Sequence, residues 1–164
     1  MYRGPTSIIR NKLGAAAAEM GLVIPLLVTL MFGSVEMGRY FMDAHIVAKA
    51  VRDGARYAGR QSFTEMPCGG TATDEADIKD LVRTGTTTDG AASRLSYWTD
   101  PATITVTITC STGNNYSTAG IYTNATGGAR HVTVAASVPY VSLFGFTLFN
   151  LSVPGRSDAA VMGI

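Results

Sequence analysis

Few side chains in this sequence have the type and spacing to do chemistry. Glu19 is the most unusual, an isolated acid with Ala15–Ala18 before it and the uncharged run Met20–Val35 after it. A carboxylate at the depth of a bilayer's hydrocarbon costs a few kcal/mol, so an acid there invites a functional reading: it must find a counter-charge. The plainer alternative keeps Glu19 in a first helical turn near the headgroups, where the helix dipole favours it and water can reach it. Glu36 and Arg39 are three residues apart, the spacing of a one-turn ion pair, with docking of a partner as its less ordinary use. Cys68 and Cys110 are the only cysteines. In an oxidising compartment they make one bridge; the alternative is two buried free thiols.

Other candidates for catalysis or metal binding do not assemble from the sequence. A structural zinc site needs four ligands, and His45 and His131 have no paired cysteine nearby. No nucleophile elbow, no HExxH and no cysteine with a plausible histidine partner is present. Asp74, Glu75, Asp77 and Asp80 read as the solvated start of a helix. Neither an enzyme, a cofactor nor a metal is therefore expected. The net charge of +1 leaves no basic stripe to neutralise phosphates, so nucleic acid is not an expected partner.

The elements that must position these residues begin with a long helix. Ala15–Val35 spans about 30 Å at 1.5 Å per residue, which matches the hydrocarbon thickness of a membrane. Arg3, Arg10 and Lys12 precede it and no acid comes before Glu19, so the positive-inside rule leaves the N-terminus in the cytoplasm and exports the chain beyond Arg39. A cleaved secretory signal fits poorly, because the apolar run ends in Val35-Glu36-Met37-Gly38-Arg39-Tyr40 and continues into more helix. Tyr40, Ala44, Val47, Val51, Ala55 and Ala58 recur at three- and four-residue spacing, with Asp43, Lys49, Arg52, Asp53, Arg56 and Arg60 on other faces. One helix is expected from about Ala15 to about Arg60, kinked or loosened at Pro25. Ala50, Gly54 and Ala58 form a small-residue row that permits close approach of another helix or a sheet, or merely reflects composition.

Beyond Arg60 the composition turns to Gly, Thr and Ser. Gln61–Thr73 reads as a loop, followed by a short helix capped by Asp74, with Ile78, Leu81 and Val82 inward and Gly85 ending it. Thr103–Cys110 alternates, with Ile104, Val106, Ile108 and Cys110 on one face and threonines on the other. His131–Val138 repeats the pattern with Val132, Val134, Ala136 and Val138 inward, so an antiparallel pair joined by a long loop is expected. Further strands are expected in Phe146–Val153 and Asp158–Met162, separated by Pro154 and Gly155. The fold class is α+β: a long helix, membrane-spanning then amphipathic, packed on a small antiparallel sheet. A Cys68–Cys110 bridge would tie the loop after the helix to the sheet. The segment Val138–Leu151, with Tyr140, Val141, Leu143, Phe144, Phe146, Leu148 and Phe149, is either a core strand and turn or an exposed hairpin tip that meets a bilayer or a partner.

Read together, Lys12-Leu13-Gly14-Ala15-Ala16-Ala17-Ala18-Glu19 resembles a type IV prepilin processing site, with a basic leader, Gly before the cut and Glu as fifth mature residue. Adding Pro25, Val35-Glu36-Met37-Gly38-Arg39 and Ala50-Val51-Arg52-Asp53-Gly54-Ala55-Arg56-Tyr57-Ala58, the stretch is similar to the TadE-like family of minor pseudopilins from tight-adherence pilus systems. The resemblance implies cleavage between Gly14 and Ala15 by a prepilin peptidase. It divides the chain into a cytoplasmic leader (1–14), a transmembrane helix (15–36), its exported continuation (37–61) and a periplasmic α+β domain (62–164). It also implies a bacterial inner-membrane location, possible incorporation into an extracellular pilus, and a place in adhesion and biofilm formation. The implied partners are other pilins or pseudopilins through the N-terminal helix, the peptidase, the pilus assembly platform and the lipid bilayer. Cleavage would free an α-amino group on Ala15, one helical turn from Glu19, to neutralise the acid in the same helix or from a neighbouring subunit. A permanently anchored binding or sensing module shares this topology and differs in keeping residues 1–14.

Overall fold

A computed structural model of the protein describes residues 12–113, 118–145 and 151–164. Arg3 and Arg10 of the basic leader, and Phe146, Leu148 and Phe149 of the apolar segment, lie outside the described residues. The described elements are helix α1 (Lys12–Ala58), helix α2 (Glu75–Thr84) and strands β1 (Ile104–Ser111), β2 (Ala129–Pro139) and β3 (Ser152–Ala160), with two short 3-10 turns at Pro101–Thr103 and Gly120–Tyr122. The chain divides into two compact units, Met1–Arg39 and Tyr40–Ile164.

The first unit contains the N-terminal part of α1. The helix continues through Pro25 without interruption, although proline has no N–H to give to the carbonyl one turn back. The Thr29 hydroxyl donates to the Pro25 carbonyl at 2.8 Å. None of the most apolar stretch of α1 is buried inside the protein, and Leu22, Leu26, Leu27, Leu30 and Met31 are all exposed. An exposed apolar helix of this length matches hydrocarbon, since a helix hydrophobic all round must be buried in protein or in lipid.

The second unit is an α+β roll in which the rest of α1 packs on a three-stranded antiparallel sheet of order β1-β2-β3. The register runs Ile104↔Ala136 to Ser111↔Ala129 between β1 and β2, and His131↔Ala160 to Pro139↔Ser152 between β2 and β3. β2 is central, so the apolar residues it turns inward, Val132, Val134 and Val138, are completely buried. They meet Val47, Val51 and Ala55 of α1, Ile78 and Val82 of α2, Ile104 of β1 and Val153 of β3 in one core. The alternating pattern fixes this arrangement because successive strand side chains point to opposite faces. Thr105, Thr107 and Thr109 accordingly lie exposed on the outer face of β1. Trp98, also buried, closes the core edge and donates from Nε1 to Thr103 Oγ1 at 2.8 Å.

The structure departs from the sequence expectations at three places. The separate strands expected on either side of Pro154 and Gly155 are one strand, β3, which runs through both. The opposed pairs Tyr140–Leu151 and Arg130–Val161 at the two ends of the β2–β3 ladder are hydrogen-bonded, each at 2.9 Å. Alternation along an antiparallel ladder then makes Ser137–Pro154 a non-hydrogen-bonded pair. The missing donor of Pro154 faces the outer edge of an edge strand, where proline is tolerated. Second, Asp74 stands at the N-cap of α2 without a side-chain capping bond; its carbonyl accepts from Ile78 N–H at 3.0 Å instead. Third, Asp43 does not lie on a solvent face. It is buried, and its carboxylate accepts a 2.7 Å bond from the Tyr97 hydroxyl.

The small-residue row of α1 faces inward. A Cβ on Gly54 would lie 2.3 Å from a methyl of Val82, and one on Gly155 of β3 would lie 2.9 Å from a methyl of Val47. Ala50 and Ala58 are fully buried. The row therefore serves the approach of α2 and the sheet to α1 within this chain.

Candidate functional site

The site indicated by the sequence is a set of positions along α1. The Gly14–Ala15 bond lies within the first turn of the helix, which begins at Lys12. Backbone N–H groups of a first turn lack intrahelical acceptors, so this is the turn that opens at least cost. Gly14 is exposed, with nothing within 4 Å of where a Cβ would stand. Glu19 is four residues beyond Ala15, hence above it on the same face at one turn's distance. Glu19 is exposed among exposed apolar neighbours, Met20 and Leu22 included. No acid occupies the first turn of α1, so Glu19 has to interact with the dipole from the second turn, where that effect is already falling off. Such a carboxylate can accept a hydrogen bond or a positive charge from whatever approaches the helix side. Glu36 and Arg39 are both half-buried and stand one turn apart, which is the geometry an i,i+3 pair requires.

A second group of residues holds the sheet domain to the loop after α1. Cys68 and Cys110 form a disulfide with a Cα–Cα distance of 5.8 Å and a sequence separation of 42. It is seated on Arg130, which is only 4 % exposed. The Arg130 guanidinium donates from Nε to Cys68 Sγ at 3.3 Å, from Nη2 to the Thr126 carbonyl at 2.6 Å, and from Nη1 to the Phe63 carbonyl. It also lies over the Phe63 ring, 4.8 Å from the centroid. A buried cation is tolerable only with its hydrogen bonds satisfied, and here carbonyl dipoles and an aromatic face supply them. Sequence reasoning passed over Arg130, yet strand parity marks it: position 130 shares the inward face with 132, 134, 136 and 138.

Beside this cluster the Ser62–Glu65 turn forms a reciprocal capping box. Ser62 donates from its N–H and its hydroxyl to Glu65 Oε2 at 2.9 and 2.8 Å, and Glu65 N–H bonds Ser62 Oγ at 3.3 Å. The backbone bond from Ser62, followed by its hydroxyl bond, lowers the pKa of Glu65 below its usual value. Among the described residues no group of three or more His, Cys, Asp and Glu comes together as a metal site. His45 and His131 are both exposed.

The third feature is apolar and external. Of the segment from Val138 to Leu151, Val138 is in the core, whereas Val141, Leu143, Phe144 and Leu151 are between 39 and 54 % exposed. The described part of the segment is thus a strand end that leads into an exposed tip. Tyr140 at its base packs edge-on against Tyr40, with ring centroids 5.4 Å apart. The Tyr40 hydroxyl donates to the Ser152 carbonyl at 3.2 Å.

No curated protein and no solved structure gives a significant match to the chain. Residues 14–56 match the family model described as TadE-like protein. The match takes in the apolar span with its exposed glutamate and most of the amphipathic helix that follows.

Proposed function

We propose that the protein is a minor pilin-like subunit that serves the assembly or initiation of a tight-adherence pilus, and that it matures by prepilin peptidase cleavage between Gly14 and Ala15. The family match over residues 14–56 supports a pilus-associated role. The observation that carries the finer reading is the placement of Glu19, exposed on a bare apolar helix one turn from the residue that cleavage would make the new N-terminus. An ammonium on Ala15 of the mature chain, or on that of a neighbouring subunit, would neutralise an acid that is otherwise costly in hydrocarbon. Pairing between subunits would set their axial register as apolar helices stack. The role is structural. Its partners are other pilins or pseudopilins through α1, the peptidase, the inner-membrane assembly platform and the bilayer, with the N-terminus cytoplasmic before cleavage and the α+β domain periplasmic.

Intact-mass measurement of the protein from its native membrane, with and without active prepilin peptidase, tests this reading. The expected product lacks residues 1–14 and begins at Ala15 only when the peptidase is active, and a Gly14 substitution abolishes the change. Glu19→Ala should leave cleavage intact and abolish recovery of the subunit with its pilus partners. A native product that begins at Met1 overturns the proposal in favour of a permanently anchored module.

A further inference from the structure

We propose that the Cys68–Cys110 bridge is an exchangeable disulfide: an incoming thiol attacks Cys110 and forms a mixed disulfide there, while Cys68 leaves as a thiolate onto the Arg130 guanidinium. The proposal is independent of the pilus reading and of cleavage at Gly14. It begins with an unbalanced charge. Arg130 is 4 % exposed, and its donors are directed at Cys68 Sγ, the Phe63 carbonyl and the Thr126 carbonyl. All three acceptors are neutral. The ion pairs among the described residues join Lys79 to Glu75, Arg83 to Asp80, Arg94 to Asp53 and Arg156 to Asp158, and none includes Arg130. Glu65, the acid closest to Cys68 in sequence, holds its carboxylate on the Ser62 N–H and hydroxyl. Tyr122, whose ring centroid is 5.7 Å from that of Phe63, gives its hydroxyl to the Val161 carbonyl, and His131 is turned to the outer face of β2. A buried charge is ordinarily paired. Opening the bridge at Cys68 places an anion 3.3 Å from the Arg130 Nε.

The two sulfurs are not equivalent. Cys68 Sγ accepts from Arg130 Nε and is covered by the backbone of Gly127, where an added Cβ would stand 2.6 Å from it. Gly127 also has a φ of +92°, so only glycine suits this approach on both counts. Cys110 is half-buried between exposed Thr109 and Ser111, on an edge strand of the sheet. An entering thiol therefore meets Cys110 first. Exchange is faster when the leaving sulfur is the more stable thiolate, and a guanidinium beside a cysteine favours thiolate over thiol. In the first step the attacking thiolate bonds to Cys110 Sγ, the Cys68–Cys110 bond breaks, and its electron pair departs on Cys68 Sγ without a proton. In the second, the other thiol of a dithiol reductant, having given its proton to water, attacks the reductant sulfur bound to Cys110. The reductant closes to a disulfide, and Cys110 leaves with the electron pair and takes a proton from water. Two electrons thus pass from a dithiol, the partner class this site takes, to the bridge. The loop after α1 stays docked in the reduced protein, because Arg130 still donates to the Phe63 carbonyl and lies over the Phe63 ring.

The test uses the full-length protein in detergent micelles. Brief exposure of the bridged protein to reduced glutathione, followed by an acid quench and peptide mapping, should place the glutathionyl group on Cys110 at least about tenfold more often than on Cys68. Equal placement or a preference for Cys68 overturns the proposal, as does a bridge that opens in urea but not in the folded protein. Reduction with dithiothreitol should leave the near-ultraviolet circular dichroism of Trp98 in place and give the ultraviolet absorbance of one thiolate at about pH 6, where an ordinary cysteine is a thiol. Loss of the Trp98 signal on reduction, or no thiolate absorbance at that pH, equally overturns it. In Arg130→Gln the thiolate absorbance should vanish at that pH, and the equilibrium constant for reduction by dithiothreitol should fall at least about tenfold. A folded variant that matches the unsubstituted protein on both counts gives Arg130 a purely structural role and overturns the proposal. Should Arg130→Gln lose the Trp98 signal, the placement of glutathione on the unsubstituted protein decides.

Discussion

Gly54→Ala should destabilise the α+β unit even though alanine is the better helix former. In an exposed helix the exchange would gain about 0.8–1 kcal/mol. At this position the new methyl would stand 2.3 Å from Val82 Cγ2, 3.7 Å from Val134 Cγ1 and 3.8 Å from Ile78 Cγ2. The first distance forces movement. Val82 is fully buried and β-branched on a helix, where one χ1 rotamer dominates, so relief must come from a shift of α2. Forcing a methyl into a packed core costs about 1–3 kcal/mol, which outweighs the propensity gain and leaves a net loss of about 1 kcal/mol. Val82→Ala alone should cost about 2 kcal/mol, for the two lost methyl groups and the gap they leave. The double variant fills that gap, so its loss should be smaller than the sum of the single losses by at least 1 kcal/mol. Urea unfolding of the full-length protein in detergent micelles measures all three, read by the near-ultraviolet circular dichroism of the single Trp98. Additive losses, or a Gly54→Ala protein more stable than its parent, would refute the claim that Gly54 is there to admit α2.

Other perturbations test separate parts of the fold. Replacing both Cys68 and Cys110 by serine should lower stability by about 4 kcal/mol on the loop-entropy account, given the 42-residue separation; equal melting of oxidised and reduced protein would contradict this. Tyr97→Phe removes the 2.7 Å bond to the buried Asp43 carboxylate and should cost about 1.5–3 kcal/mol, read by the same unfolding assay. The folded-state pKa of Glu65 is depressed from 4.5, so its contribution is present above that value and is lost as pH falls through the lowered folded value. Glu65→Gln should flatten that part of the acid limb of a stability–pH profile, and an unchanged slope would show that the Ser62–Glu65 turn does not persist in solution.

Periodicity and charge order are local properties of a chain, and they determined much here. An uncharged run of membrane length, a basic start, a three-to-four residue apolar repeat and two cleanly alternating threonine-rich segments place α1, β1 and β2 with no tertiary information, because each records which face of an element must leave water. The spacing of Gly14, Ala15 and Glu19 is local in the same sense. Tertiary structure decided what depends on neighbours distant in sequence. Pro154 and Gly155 read as a break, and only the edge position of β3 lets the strand run through them, with the proline's missing donor turned outward and the glycine making room for Val47. Asp43 reads as a surface acid until Tyr97 covers it, and Ala50, Gly54 and Ala58 could have awaited another subunit until α2 and the sheet filled the groove. Arg130 and the exposed hairpin tip complete the set. A buried guanidinium becomes acceptable once carbonyls from two loops converge on it, and Val141, Leu143 and Phe144 are exposed where their apolar pattern allowed either core or surface.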